Sequence, residues 1–171
     1  YEVMQAIPTC SSGVELQGTQ MNYYIGQLYG FFIGDGHIPK DCPNRIYFKL
    51  KKERKIDYIK TVLNNLNLPI NLKVHSDATV IKTQPLQSFN DCYDCNQIKK
   101  FPNNWINNSQ QFLLGLFDGL INSDGWADSR RKETYSFSTT SKSVADDMVI
   151  LCAITGLGSC STYEHKKNEQ S

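Results

Sequence analysis

The sequence predicts an α+β fold built from two similar halves in tandem, the second shorter than the first. Three observations carry that expectation. The chain matches itself when shifted by 89 residues, the step from Asp35 to Asp124. Each copy opens with a proline-free apolar segment that places a small residue at every fourth position. Each copy then changes its hydrophobic period from two to 3.6, as a strand followed by an amphipathic helix does.

The first element of each copy reads as a helix. Ile25 to Gly36 is IGQLYGFFIGDG and Leu114 to Gly125 is LGLFDGLINSDG, so Gly26 falls on Gly115, Gly30 on Gly119, Gly34 on Ser123 and Asp35 on Asp124. Small residues at i, i+4 and i+8 make a smooth ridge, which suits close packing of two such helices along their i±4 rows. Glycine costs up to about 1 kcal/mol per helix-interior site relative to alanine, so close contact is the expected compensation. Leu28, Phe31, Phe32 and Ile33 in one copy, with Phe117, Leu120 and Ile121 in the other, supply core faces. Asn108, with Gln111 three residues on, is the expected cap of the second helix.

The second element reads as a hairpin. Ile46, Phe48 and Leu50 alternate with Arg45, Tyr47 and Lys49, and at the same offset Tyr135, Phe137 and Thr139 alternate with Thr134, Ser136 and Ser138. A preceding strand is expected over Gly36 to Lys40 and Gly125 to Ser129, with turns at Asp41 to Asn44 and Arg130 to Glu133. The third element is an amphipathic helix, about Glu53 to Asn67 and Lys142 to Gly156. Its core stripes are Ile56, Ile59, Leu63 and Leu66, then Ala145, Met148, Cys152 and Thr155. Asn67 and Gly156 stand where a helix end favours left-handed backbone. Strands at Ile70 to His75 and Ala78 to Thr83 follow in the first copy. The second reaches only the equivalent of the first of these, near Ser159 to Glu164. The expected divisions are a lead-in at 1–20, a first half at 21–108 and a shortened second half at 109–171.

A length of 171 residues and 40% hydrophobic content suit one domain, or two small ones sharing a core. No apolar run reaches the roughly 18 residues of a membrane span, and the start lacks the plan of a signal peptide, so an intracellular protein is expected. The net charge of +1 decides little, because a nucleic-acid binder needs a basic face and not a basic total. Lys49, Lys51, Lys52, Arg54 and Lys55 form one basic cluster, and Arg130, Arg131 and Lys132 another. Among the six cysteines only Cys92 and Cys95 are spaced as half of a zinc site, and no second half accompanies them, so free thiols are expected. His37, His75 and His165 have no partner at ligand spacing, and Trp105 and Trp126 read as packing residues.

Two like helices packed along their ridges, each ending in Asp-Gly, bring Asp35 and Asp124 to the same end of the pair. Neighbouring carboxylates repel unless a proton or a cation intervenes. Mg²⁺ prefers such oxygen donors. Two metals so held activate a water and stabilise the leaving oxygen in phosphodiester hydrolysis.

LYGFFIGDG (Leu28 to Gly36) and FDGLINSDG (Phe117 to Gly125) resemble the paired motifs of the LAGLIDADG homing endonucleases, and the likeness extends from about Met21 over most of the chain. The resemblance implies αββαββα halves about a pseudo-twofold axis, a monomer with an internal pseudo-dimer, and motif helices at the interface through Gly26, Gly30, Gly34, Gly115, Gly119 and Ser123. It implies Mg²⁺, two or more ions, on Asp35 and Asp124, and a β-saddle on double-stranded DNA. The DNA contacts it implies are Arg45, Tyr47 and Lys49 in one half and Arg130, Thr134, Ser136 and Ser138 in the other, reading base edges in the major groove. Ile33 and Asn122 replace the internal Asp of the motif name, a position not needed for metal binding.

Three further stretches are similar to the intein-embedded subgroup. Ile98 to Pro102 resembles its lysine-bearing block, which selects Lys99, with Lys100 beside it, as an active-site lysine. Ser138 to Gly158 resembles the block after the second motif, and Tyr1 to Pro8 the strand by which a splicing domain hands over to the nuclease. Position 1 is not a Cys or Ser nucleophile, so fusion to a splicing domain is an expectation and splicing itself is not legible. Two readings stay open: a Mg²⁺-dependent double-strand endonuclease, or a cleavage-deficient nucleic-acid-binding module, maturase-like or regulatory. The shortened second half favours the latter.

Overall fold

Helices α1 (Gln17–Asp35) and α3 (Gln110–Asp124) make the most extensive contact in the structure, a computed structural model that describes residues 2–6, 17–127, 129, 134–157 and 160–163. Their glycines permit it. A Cβ on Gly26 would run into the Phe112 carbonyl oxygen and one on Gly115 into that of Tyr23, while Gly30 and Gly119 stand likewise against Leu116 and Gln27. Phe112 is the repeat mate of Tyr23 and Leu116 that of Gln27, so each contact recurs with the halves exchanged. That reciprocity is the pseudo-twofold axis. Gly34 lies against the Ser123 side chain at the end of the ridge.

In the first half α1 leads into strand β2 (Gly36–His37), then β3 (Ile46–Leu50), helix α2 (Glu53–Asn65), β4 (Asn71–Val74) and β5 (Thr79–Thr83). In the second, α3 leads into β6 (Gly125–Ala127), β7 (Thr134–Ser138), helix α4 (Lys142–Thr155) and β8 (Cys160–Tyr163). Burial alternates along β3 as the period of two requires: Ile46, Phe48 and Leu50 face the core and Lys49 faces out. Ile56, Ile59 and Leu63 of α2, and Ala145, Met148 and Cys152 of α4, are buried as their stripes predict. Asn67 and Gly156 have the anticipated left-handed backbone, with φ of 53° and 69°.

The cap of α3 differs from expectation. Ser109, one residue later than Asn108, accepts from the Phe112 amide at 3.2 Å. A 3₁₀ turn at Trp105–Asn107 precedes it and takes the Asn108 side chain, which donates to the Trp105 carbonyl at 3.0 Å. Trp105 is buried, whereas Trp126 is 47% exposed, because it stands on the outward side of β6.

Strand β1 (Glu2–Ala6) completes the second half. The first sheet has the order β2-β3-β5-β4 and the second β6-β7-β1-β8, so β1 holds the place that β5 holds in the first copy. It pairs antiparallel with both neighbours, Met4 lying opposite Ser136 and Ser161. The sheet of the second copy is thus filled from the N-terminal side. Among the described residues no helix is long and apolar enough to cross a membrane.

Candidate metal and nucleic-acid site

Asp35 and Asp124 are the last residues of α1 and α3, and the helix pairing brings them together at one end of the interface. Lys55, from the first turn of α2, reaches both: its ammonium donates to Asp35 Oδ2 at 2.6 Å and lies 3.9 Å from Asp124 Oδ1. Ser123 Oγ donates to the same Asp35 oxygen at 3.0 Å. The Lys55 side chain is only 13% exposed, against 21% for Asp35 and 35% for Asp124. Burial, and then the Asp35 charge, push the Asp124 carboxyl above the usual carboxylate range, with Lys55 opposing.

The donor set suits an oxygen-seeking divalent ion: two carboxylates share one cation, and each holds part of its surface open to water. Among the described residues no group of three or more His, Cys, Asp or Glu side chains converges. Cys42 and Cys95 are exposed thiols and Cys92 and Cys152 buried ones, away from that role.

Lys99 adjoins this centre differently from a free active-site lysine. Its ammonium donates to the Gly36 and Phe32 carbonyls at 2.6 and 2.7 Å, with Ile33 at 3.4 Å, and lies 4.4 Å from the centre of the Phe32 ring. It thereby donates to carbonyls of the last turn of α1 and of the first residue of β2, where helical partners run out. Burial lowers its pKa to about 8, with Asp124 and Asp35 among the charges that act in the opposite sense. Its own carbonyl accepts from Ser141 Oγ at 2.8 Å, which also caps α4. Lys100 turns instead to Asn103.

The outward face of the first sheet is cationic. Register places His37 opposite Tyr47, Tyr47 opposite Lys82 and Lys82 opposite Asn71, and in the next row Lys49 opposite Val80 and Val80 opposite Lys73. Arg45 stands exposed at the head of β3. Lys49 meets Asp77 at 3.7 Å, a pair whose side chains are both well exposed and so weak. Lys73 and Lys82 were not among the residues singled out from sequence, and His37 was named there only as lacking a ligand partner, because cross-strand register decides which neighbours join Tyr47.

The outward face of the second sheet offers Thr134 and Ser138, partly and fully exposed, with Trp126. Ser136 corrects an expectation: it is 3% exposed, lying between β6 and β1 directly opposite Trp126, and is not presented to a ligand. Arg130 lies outside the described residues.

Lys55 was visible only as part of a charge run. Its spacing from Asp35 carried no signal, since the contact is made across two helices. Arg54 beside it donates to the Asn122 carbonyl at 2.9 Å, near the end of α3.

No family model and no curated protein matches this chain. Solved structures do. The N-terminal LAGLIDADG domain of DUF199/WhiA is similar at a TM-score of 0.54 and 14% identity, over 78% of this chain and 66% of that one. Full-length DUF199/WhiA from Thermatoga maritima gives 0.42 and 12% over 85% and 58%, and variants of the homing endonuclease I-DmoI give 0.37 and 12% over 80% and 97%. The chain thus spans about two thirds of the first and less of the second. With its paired motif helices, two antiparallel sheets and reciprocal interface, the chain has the fold of a LAGLIDADG domain.

Proposed function

We propose that this chain is the nuclease module of a site-specific homing endonuclease, hydrolysing phosphodiesters of double-stranded DNA with Mg²⁺. The observation that carries the reading is the carboxylate pair Asp35 and Asp124, brought by equivalent helix ends to one centre beside a cationic sheet face. Those two acids would hold the ion, which when bound supplies a Lewis acid and an activated water. Lys99 fixes the backbone that carries Asp35. Lys55 brings a positive charge to the same oxygens. Arg45, Lys49, Lys73 and Lys82 neutralise DNA phosphates, and Tyr47, His37 and Asn71 share their face. The stretches at Ile98 to Pro102 and Ser138 to Gly158 favour an origin within an intein, and hence an intracellular setting.

A second reading keeps DNA binding and drops cleavage. It is favoured by the ammonium already seated on the carboxylates and by the absence of any Lys or Arg from strand β7, the counterpart of β3 in the second sheet. Duplexes selected from a random pool for tight binding, then incubated with Mg²⁺, separate the two. Wild type is expected to cut both strands, and Asp35→Asn or Asp124→Asn to bind without cutting. Salt-sensitive binding with no cutting by wild type selects the second reading. Cutting that survives both substitutions removes the acids from the chemistry.

A further inference from the structure

Lys55 sits on the carboxylate oxygens through which Asp35 and Asp124 would hold a metal. Its ammonium and the Ser123 hydroxyl both donate to Oδ2 of Asp35, and the same ammonium is within ion-pair distance of Asp124. The side chain is almost enclosed. Its repeat mate is Val144, an apolar residue that is 1% exposed, and among the described residues Lys55 is the cation within ion-pair distance of both acids. The lysine is nevertheless built to leave. It starts from the first turn of α2 on a four-carbon stem with several rotatable bonds, and Lys51 and Lys52, both exposed, immediately precede that helix. A DNA phosphate drawn to that cluster offers the ammonium another anion.

We infer that Lys55 is a resident counter-ion that keeps the carboxylate pair closed to divalent metal in the free protein and is drawn off it by a DNA phosphate, so that metal loading follows DNA docking. This rests on reading Asp35 and Asp124 as metal ligands. A dication and an ammonium compete for the same lone pairs of Asp35. Moving the ammonium to a phosphate leaves two carboxylates facing each other, and their repulsion then favours the metal. The coupling is reciprocal: whatever DNA adds to metal affinity, metal adds to DNA affinity.

Calorimetric titration with Mn²⁺ tests this without reading cleavage. The full chain is used as wild type, Lys55→Met, Lys55→Arg and Lys55→Met/Asp35→Asn, alone and with a selected duplex, the heat of Mn²⁺ on duplex alone being subtracted. Without DNA, Lys55→Met is expected to bind Mn²⁺ at least about tenfold more tightly than wild type, the scale set by one unit charge a few ångströms from two carboxylates. Lys55→Arg is expected to stay as weak as wild type, and adding Asp35→Asn to Lys55→Met to abolish the gain. Duplex is expected to tighten Mn²⁺ on wild type far more than on Lys55→Met. Equal affinities of wild type and Lys55→Met overturn the inference, as does an equal gain from duplex in both. Circular dichroism checks that each variant is folded, and Lys55→Gln replaces the Met variant if it is not. A chain that shows this pattern but never cuts DNA retires the endonuclease reading while leaving the metal gate standing.

Discussion

Asp35 and Asp124 end equivalent helices on either side of one axis and live in different surroundings. Asp35 has two donors on one oxygen, the Lys55 ammonium and the Ser123 hydroxyl. Asp124 has Lys55 only at 3.9 Å and faces Gly34, which has no hydroxyl to give. The sheets differ in the same sense, cationic on the outward face of the first and hydroxyl-bearing on that of the second. Duplication fixed where the backbone goes, and side chains at broken repeat positions decide what each half can do. Three positions account for most of it: Lys55 against Val144, Gly34 against Ser123, and Lys49 against Ser138.

The shared backbone should be insensitive to that asymmetry. Gly30→Ala and Gly119→Ala each drive a Cβ into a carbonyl of the opposite helix, and backbone cannot yield as a side chain can. Both are expected to cost about 3 kcal/mol or more, equally, in urea denaturation. Gly156→Ala is the control. It meets nothing within 4 Å and pays only for its left-handed φ of 69°, about 1 kcal/mol. Unequal losses at Gly30 and Gly119 would break the twofold.

Lys99 belongs to the first half, on the stretch between β5 and α3. Lys99→Met leaves the Phe32 and Gly36 carbonyls without that donor, and a loss of about 2 kcal/mol at pH 7 is expected. The pH dependence has a fixed sign. A lysine whose pKa falls to about 8 on folding binds fewer protons folded than unfolded between about pH 8 and the ordinary 10.5. Wild-type stability therefore rises through that window, and the Met variant should lack the rise. A Met variant with the same slope would remove Lys99 from the linkage.

The two acids should respond with opposite signs. Asp35→Asn strips Lys55 of its nearest carboxylate and is expected to lower the melting temperature by a few degrees, for a loss of about 1 kcal/mol. Asp124→Asn should raise it. Burial and the Asp35 charge disfavour ionised Asp124, so its folded pKa is above the unfolded value; the penalty is present at pH 7 and fades as the pH falls through that raised pKa. With the side chain 35% exposed the gain is screened, to under about 1 kcal/mol. Melting curves at pH 7 and pH 4 check it: the advantage of Asp124→Asn should shrink at the lower pH.

What sequence could and could not foretell follows the same line. The helix pair, the hairpins and the core stripes were legible because each rests on spacing within one element, and the glycine ridge because its cost demanded a close partner. The cap at Ser109, the strand supplied by β1, the burial of Ser136 and the reach of Lys55 were not legible. Each is set by a neighbour distant in sequence: a 3₁₀ turn that diverts Asn108, a vacant place in a sheet, a tryptophan across a strand, a helix packed against another's end. Periodicity says which face is buried and leaves open what covers it.

The smallest expected effects lie on the two outward sheet faces, where the comparison becomes a measurement of charge. Each lysine that neutralises a phosphate contributes about 0.9 to the slope of log affinity against log salt on duplex DNA. Lys73→Ala and Lys82→Ala should each flatten that slope by about one and weaken binding similarly on all duplexes, because phosphate contacts carry no sequence information. Ser138→Ala, on the other sheet, should leave the slope unchanged. If it also leaves affinity unchanged on the selected duplex but Tyr47→Ala does not, sequence is read chiefly by the first half. A slope altered by Ser138→Ala, or untouched by both lysine variants, would place the electrostatic footprint elsewhere and dissolve the contrast between the faces.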